Sequence, residues 1–156
     1  MIEETIPGRG PLRLEHLVLD VNGTVAEGGT LIAGVRDRLL DLRRHLEVHW
    51  ITADTRGRQA ALDAELGWPA VRVQSGAEAE QKAAFVQELG AETVVAIGNG
   101  ANDAAMLREA ALGLAVLGGE GLAVEALVVA DVVLPGILAA LDMLRDPARL
   151  RATLRR

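Results

Sequence analysis

Four polar segments of the chain contain residue types suited to phosphate and metal chemistry. The first is Asp20-Val21-Asn22-Gly23-Thr24, directly after the apolar Leu17-Val18-Leu19. A carboxylate at Asp20 can ligate Mg²⁺ or attack phosphorus, and Gly23 lets the chain turn sharply beside it. An Asx turn leaving a strand would need the same residues without any chemistry. The second is Thr52-Ala53-Asp54, after Val48-His49-Trp50-Ile51. Its hydroxyl and backbone N–H groups suit phosphate oxygens, and equally suit a helix N-cap for a segment starting near Arg56. The third is Lys82, within Glu80-Gln81-Lys82-Ala83-Ala84-Phe85, early in a helical pattern where the helix dipole disfavours a cation. It could offset the charge of a phosphorylated aspartate or simply be a solvated surface lysine. The fourth is Gly98-Asn99-Gly100-Ala101-Asn102-Asp103, after Thr93-Val94-Val95-Ala96-Ile97. A glycine-flanked strand exit into a helix N-terminus suits metal or phosphate, and Asn99 and Asp103, four apart, can face one ion. An ordinary loop capped by Asn102 or Asp103 is the alternative.

Chemistry at such positions requires a scaffold that ends its strands together. Short β-type runs alternate with longer helical patterns, which predicts an α/β domain with a mainly parallel sheet covered by helices. The expected strands are Leu17–Val21, Val48–Thr52, Ala70–Val73, Thr93–Ile97, Leu112–Val116 and Val128–Leu134. Most are near-continuous apolar runs, as strands buried on both faces should be. Val35, Leu39, Leu42 and Leu46 recur at helical spacing, and further helices are expected over Arg56–Leu66, Ala77–Leu89, Asn102–Ala110 and Gly136–Arg145. Gly67 and Gly90 stand where two of these would end. In open parallel sheets ligands bind outside the carboxyl ends of the strands, and all four polar segments fall at a strand exit or on the helix that follows one.

The 156 residues fit a single domain, 1–156. Residues 1–15 are expected to hold an extra edge strand near Ile2–Ile6 and a turn at Pro7-Gly8-Arg9-Gly10-Pro11; residues 147–156 read as an arginine-rich terminal helix. Half the residues are apolar, which excludes disorder through lack of hydrophobic content. A formal charge of −6 excludes general nucleic-acid binding, which needs basic surface. With no cysteine there can be no disulfide and no thiolate-held zinc. The longest apolar stretch, from Leu122, is broken by Glu125 and Asp131 and closed by Pro135, so no membrane association is expected and a cytoplasmic protein is.

Taken in order, the four segments resemble the motifs of the haloacid dehalogenase (HAD) superfamily of phosphatases and phosphotransferases. Thr52-Ala53-Asp54 and Gly98–Asp103 are worded most like the phosphorylation domain of P-type ion-pumping ATPases, so the chain resembles the soluble, P-type-ATPase-like members. The resemblance implies a three-layer Rossmann-like HAD fold and a Mg²⁺-dependent phosphohydrolase acting on a phosphorylated small molecule or macromolecule. It implies that Asp20 forms an aspartyl-phosphate and ligates Mg²⁺ and that the backbone carbonyl of Asn22 adds a ligand. Thr52, Ala53 and Lys82 would hold phosphoryl oxygens. Asn99 and Asp103 would complete the metal shell, with Gly23, Thr24, Asp54, Gly98 and Asn102 in support.

Two departures bear on rate. Members that hydrolyse quickly commonly carry aspartate where Asn22 stands, and an amide can neither protonate a leaving group nor activate water. Asn99 replaces a usual metal-binding aspartate and removes one negative charge. A slow phosphatase, or a weak or inactive member that binds phosphate, metal or a protein partner, fits these amides. Thr52 follows Asp20 by 32 positions and Lys82 follows Thr52 by 30, which leaves no room for a cap domain. Related capless proteins act on large substrates or use a neighbouring subunit as a lid, so a homo-oligomer is expected.

His45 and His49 are four apart, but a strand starts between them, so they share no helix face and are not read as a metal pair. His16 reads as a surface or edge residue, Trp50 and Trp68 as packing residues, and Arg145, Arg149, Arg151, Arg155 and Arg156 as a solvated terminal helix.

Overall fold

The computed structural model describes residues 1–53 and 57–156; Asp54 and the expected helix start at Arg56 lie outside the described residues. In chain order the elements are β1 (Ile2–Ile6), β2 (Gly10–Leu14), β3 (His16–Asp20), β4 (Ala26–Glu27), β5 (Thr30–Leu31), α1 (Val35–Leu42), β6 (Glu47–Thr52), α2 (Gln59–Leu66) and β7 (Val71–Arg72). There follow α3 (Glu78–Leu89), β8 (Val94–Gly98), α4 (Ala104–Glu109), β9 (Leu112–Val116), α5 (Val124–Leu127), β10 (Val132–Leu134), α6 (Ile137–Arg145) and α7 (Pro147–Leu154).

Six strands form one parallel sheet in the order β10-β9-β8-β3-β6-β7. The apolar runs explain its burial. Along β3, Leu17 and Leu19 enter one core and Val18 the other; along β8, Val95 and Ile97 divide from Val94 and Ala96 in the same way. This period of two gives the sheet two dry faces. Leu39 and Leu42 of α1, Leu62 and Leu66 of α2, and Leu141 and Leu144 of α6 pack on the first face. Val86 of α3, Met106 and Leu107 of α4, and Ala126 of α5 pack on the second, completing three layers. Gly67 and Gly90 close α2 and α3 with φ of 93° and 90°, values that cost a side-chain-bearing residue steric energy.

β3 is the centre of the winding. The chain leaves it toward β6 and β7 on one side and returns to build β8, β9 and β10 on the other. The carboxyl end of β3 therefore lies between those of β6 and β8, at a topological switch point. Between β3 and β6 stand only the β4–β5 hairpin and α1, with no cap domain.

Three expectations are corrected, and one element was not foreseen. Ile2–Ile6 is a strand, but it pairs antiparallel with Gly10–Leu14 in a separate hairpin rather than edging the main sheet. Residues 128–131 are not strand: Val128 and Val129 form the turn that closes α5, with the Val128 N–H on the Val124 carbonyl at 3.0 Å, and the ladder with β9 begins at Val132. The β4–β5 hairpin was not expected, its strands being two residues each. Arg145 does not belong to a solvated tail; it ends α6 and bonds Asp41 at 2.8 Å and Asp142 at 3.0 Å. Among the described residues no helix is long and apolar enough to cross a membrane.

Candidate active site

Asp20 ends β3, Thr52 ends β6 and Gly98 ends β8, so three neighbouring strands deliver their last residues to one cleft. The cleft has a volume of about 590 Å³ and is lined by Asp20, Asn22, Thr52, Ala53, Lys82 and Asn99, together with Glu78, Gly100, Asn102 and residues 120–123.

Lys82 is the centre of the arrangement. It lies one turn before Val86 on the buried face of α3, and its side chain is only 1% exposed. The stem packs in the core, and the ammonium reaches up to Asp20 Oδ1 at 2.6 Å and Asp103 Oδ1 at 2.7 Å. A surface role for this lysine is thereby ruled out. Asp103 is fully buried behind the cleft. Its Oδ2 accepts the backbone N–H groups of Asn99 at 3.0 Å and Gly100 at 2.9 Å. It thus fastens the loop after β8 while its other oxygen holds Lys82. Gly98 is required by this closeness: a Cβ there would lie 2.6 Å from the Asp103 carboxylate. Gly23 is required by its φ of 78°, which lets its N–H reach back to the Ala26 carbonyl at 2.8 Å.

Thr24 Oγ1 stands 3.2 Å from Asp20 Oδ2 and 3.1 Å from Asn99 Oδ1. One hydroxyl proton serves one acceptor at a time, so two buried oxygens compete for it. The Asn99 amide is oriented by its Nδ2, which donates to the Gly121 carbonyl at 3.3 Å. Asn22 is exposed, and its Nδ2 donates to Thr52 Oγ1 at 3.2 Å, tying the turn after β3 to the end of β6.

The electrostatics follow from burial. Asp20, Asp103 and Lys82 form a cluster of two potential anions and one cation. Burial raises the Asp20 carboxyl and the neighbouring Asp103 charge adds to it; Lys82 and Thr24 pull it back, leaving it pushed up to about 7. For Lys82, burial opposes the charge, but Asp20 and then Asp103 outweigh it and raise the ammonium above its ordinary value. Fully ionised, the cluster carries one excess negative charge in a dry setting, which a cation beside Asp20 would offset.

Twelve residues were singled out from the sequence. Eleven are described, and all eleven sit in this cleft or directly behind it; Asp54 lies outside the described residues. Sequence reasoning missed Glu78, Glu120 and the stretch at 121–123. Glu120 hangs from the loop after β9, where no residue pattern marks its approach to Gly23. Ala123 joins the site by its backbone N–H, which donates to the Asn99 carbonyl at 2.9 Å.

No family model matches the chain. It is 39% identical over 88 residues to the uncharacterized protein MJ0073 of Methanocaldococcus jannaschii, a match covering 54% of this chain and 95% of that protein. Among solved structures, it resembles a Legionella pneumophila protein described as a HAD superfamily (subfamily III A) hydrolase, with a TM-score of 0.67 and 18% identity over 90% of this chain and 86% of that one. It also resembles 3-deoxy-D-manno-octulosonate 8-phosphate phosphatase from Moraxella catarrhalis in complex with magnesium ion, phosphate ion and KDO (TM-score 0.65, 18% identity, 90% of this chain and 89% of that one). A zinc-transporting PIB-type ATPase in its E2.Pi state matches 79% of this chain with 20% of its own length (TM-score 0.63, 27% identity). The chain carries the fold of the haloacid dehalogenase superfamily hydrolases and belongs to the same family as MJ0073.

Proposed function

We propose that the protein is a Mg²⁺-dependent phosphohydrolase that works through an aspartyl-phosphate on Asp20. The observation that carries this reading is the buried Asp20–Lys82–Asp103 cluster at the meeting point of β3, β6 and β8, open to a cleft on one side. The solved neighbours support it, one of them a phosphatase holding magnesium and phosphate.

The residues fit a hard divalent ion. Asp20 Oδ2 and Asn99 Oδ1 are oxygen donors that converge on one Thr24 hydroxyl, and the excess negative charge beside them favours a cation. Asp20, the Asn22 backbone carbonyl and Asn99 would hold the ion; Asp103, expected in the metal shell, has Oδ1 on Lys82 and Oδ2 on the Asn99 and Gly100 N–H groups, and would support the ion from behind. When bound, Mg²⁺ supplies charge neutralisation to the transferring phosphoryl group.

In the first step an Asp20 carboxylate oxygen bonds to phosphorus as the bond to the substrate's ester oxygen breaks, and the electron pair leaves with that oxygen. Lys82 and Thr52 balance the charge on the phosphoryl oxygens. In the second step water attacks phosphorus, the bond to Asp20 breaks, and the carboxylate and inorganic phosphate are released. Asn22 supplies no proton to either step, and loss of such help typically slows a reaction by about 10²–10⁴-fold. Phosphoenzyme breakdown is therefore expected to be slow. In assays of a phosphorylated-substrate panel with Mg²⁺, Asp20→Asn should abolish turnover; unchanged activity in that variant would overturn the mechanism.

The amides at Asn22 and Asn99 favour one other reading, a near-inert chain that keeps phosphate or metal binding alone. It requires that no substrate turn over and that Asn22→Asp, alone or with Asn99→Asp, create activity. We further infer a cytoplasmic homo-oligomer. Leu117, Val124, Leu127, Val128 and Val133, all exposed around the β9–β10 edge, support a self-contact there. A monomeric mass by light scattering would count against it.

A further inference from the structure

At the end of the sheet away from Asp20, β3 and β6 start with His16 and Glu47, which are paired in register; two residues on, Val18 is paired with His49. Side chains two apart on a strand share a face, and paired residues on neighbouring strands do too. His16, Glu47 and His49 therefore all project from the face that carries Val18 and α3. Their donor atoms converge. His49 Nε2 is 3.4 Å from His16 Nδ1, His16 Nδ1 is 3.6 Å from Glu47 Oε2, and His49 Nε2 is 3.7 Å from Glu47 Oε1.

We propose that His16, Glu47 and His49 form a second metal site, for Zn²⁺ or a similar first-row divalent ion, separate from the phosphate cleft. Three observations support this site. First, the 3.4 Å between the two imidazole nitrogens suits a tetrahedral ion, whose ligand atoms stand about 3.3–3.4 Å apart at metal–nitrogen bonds of about 2.0–2.1 Å, and the Glu47 carboxylate turns a different oxygen to each nitrogen at 3.6 and 3.7 Å. Second, the ligands are held in place. The edge of one ring meets the face of the other between His49 and Phe85, with centroids 5.3 Å apart, and both histidines have side chains less than one-fifth exposed. Third, access exists, because Glu47 is two-thirds exposed and leaves the remaining coordination position to water. The donor set of two imidazoles and one carboxylate suits zinc, cobalt or nickel over magnesium, so the two sites divide the metals by chemistry. Along the strand, Asp20 lies four residues from His16, about 13 Å at 3.3 Å per residue. An ion here would clip β3 to β6 at their amino ends.

The test is Zn²⁺ titration of the metal-free chain, free of any histidine tag, by calorimetry. The wild type and Asp20→Asn should both bind one Zn²⁺ that excess Mg²⁺ does not displace. His16→Gln and His49→Gln should each weaken it by more than about 100-fold, since loss of even an outer-shell partner costs roughly 10–100-fold. A measurement on the unaltered chain guards against misfolded variants: Zn²⁺ should shift the imidazole NMR signals of His16 and His49 and leave those of the exposed His45 in place. Equal binding in the histidine variants, loss of binding in Asp20→Asn, or unmoved His16 and His49 signals would each overturn the site.

Discussion

Replacing Lys82 by methionine keeps an apolar stem of similar length against Val86 but removes the ammonium between Asp20 and Asp103. Lys82 is 1% exposed and makes contacts of 2.6 and 2.7 Å, so both carboxylates lose their cation inside the protein. Removing one partner of a buried ion pair costs about 3–5 kcal/mol. In a chain of this size each kcal/mol moves the melting temperature by about 2–4 °C, which predicts a fall of roughly 6–20 °C near pH 8. The fall should depend on pH. The Asp20 carboxyl is already raised from 3.8 to about 7, and loss of Lys82 raises it further. A carboxyl whose folded pKa lies above its unfolded value keeps a proton that the unfolded chain has lost, so stability declines as pH rises across that window. In Lys82→Met the window reaches higher pH and the decline is larger. Near pH 5, Asp20 is protonated in both proteins and only the Asp103 contact is lost, so the deficit should shrink to roughly half. Thermal melts of both proteins at the two pH values, without metal, measure this directly. An equal deficit at both, or none, would refute the charge balance assigned to the cluster.

Other perturbations test other parts of the site. The metal-free wild type should itself lose stability between about pH 4 and pH 7, and Asp20→Asn, which cannot ionise, should flatten that slope in urea titrations. Asn22→Asp should speed phosphoenzyme breakdown by about 10²–10⁴-fold in single-turnover kinetics if acid–base help is what is missing. Gly98→Ala would drive a methyl group against the Asp103 carboxylate, costing about 1–3 kcal/mol in denaturant melts and weakening Mg²⁺ binding through the displaced Asn99. Glu120→Gln should slow turnover more than Glu78→Gln if Glu120, which approaches Gly23, supplies the proton that Asn22 cannot; equal rates would exclude it.

What could be read from the sequence follows from how local each signal is. The apolar runs of β3, β8 and β9 and the helical repeat of α1 are short-range patterns, and they were legible. So were Asp20, Thr52 and Asn99, because a strand exit in a parallel sheet is a site by topology. Lys82 was harder: only the ordered motif set, not its local surroundings, distinguishes a buried lysine from a surface one. The segment 128–131 looked like strand because of its composition, yet its first residues are taken up in closing α5, which a run of apolar residues does not reveal. Asp131 meets β9 with both backbone and side chain: its N–H donates to the Gly113 carbonyl at 2.8 Å, and its carboxylate accepts the Gly113 N–H at 2.9 Å and bonds Arg9 at 2.8 Å. His16 and His49 illustrate the limit best. In sequence, His49 shares no helix face with His45, and His16 reads as a surface or edge residue. The second ligand lies across a strand pair, and only the register of β3 against β6 brings the two rings together.

The most direct measurement for the function is a crystal of the protein with Mg²⁺ and beryllium fluoride, a mimic of a phosphorylated carboxylate. The fluoride should be found on an Asp20 oxygen, within reach of Lys82 and Thr52, with Mg²⁺ between Asp20 and Asn99. A crystal in which Asp20 stays bare and paired to Lys82 under the same conditions would contradict the aspartyl-phosphate.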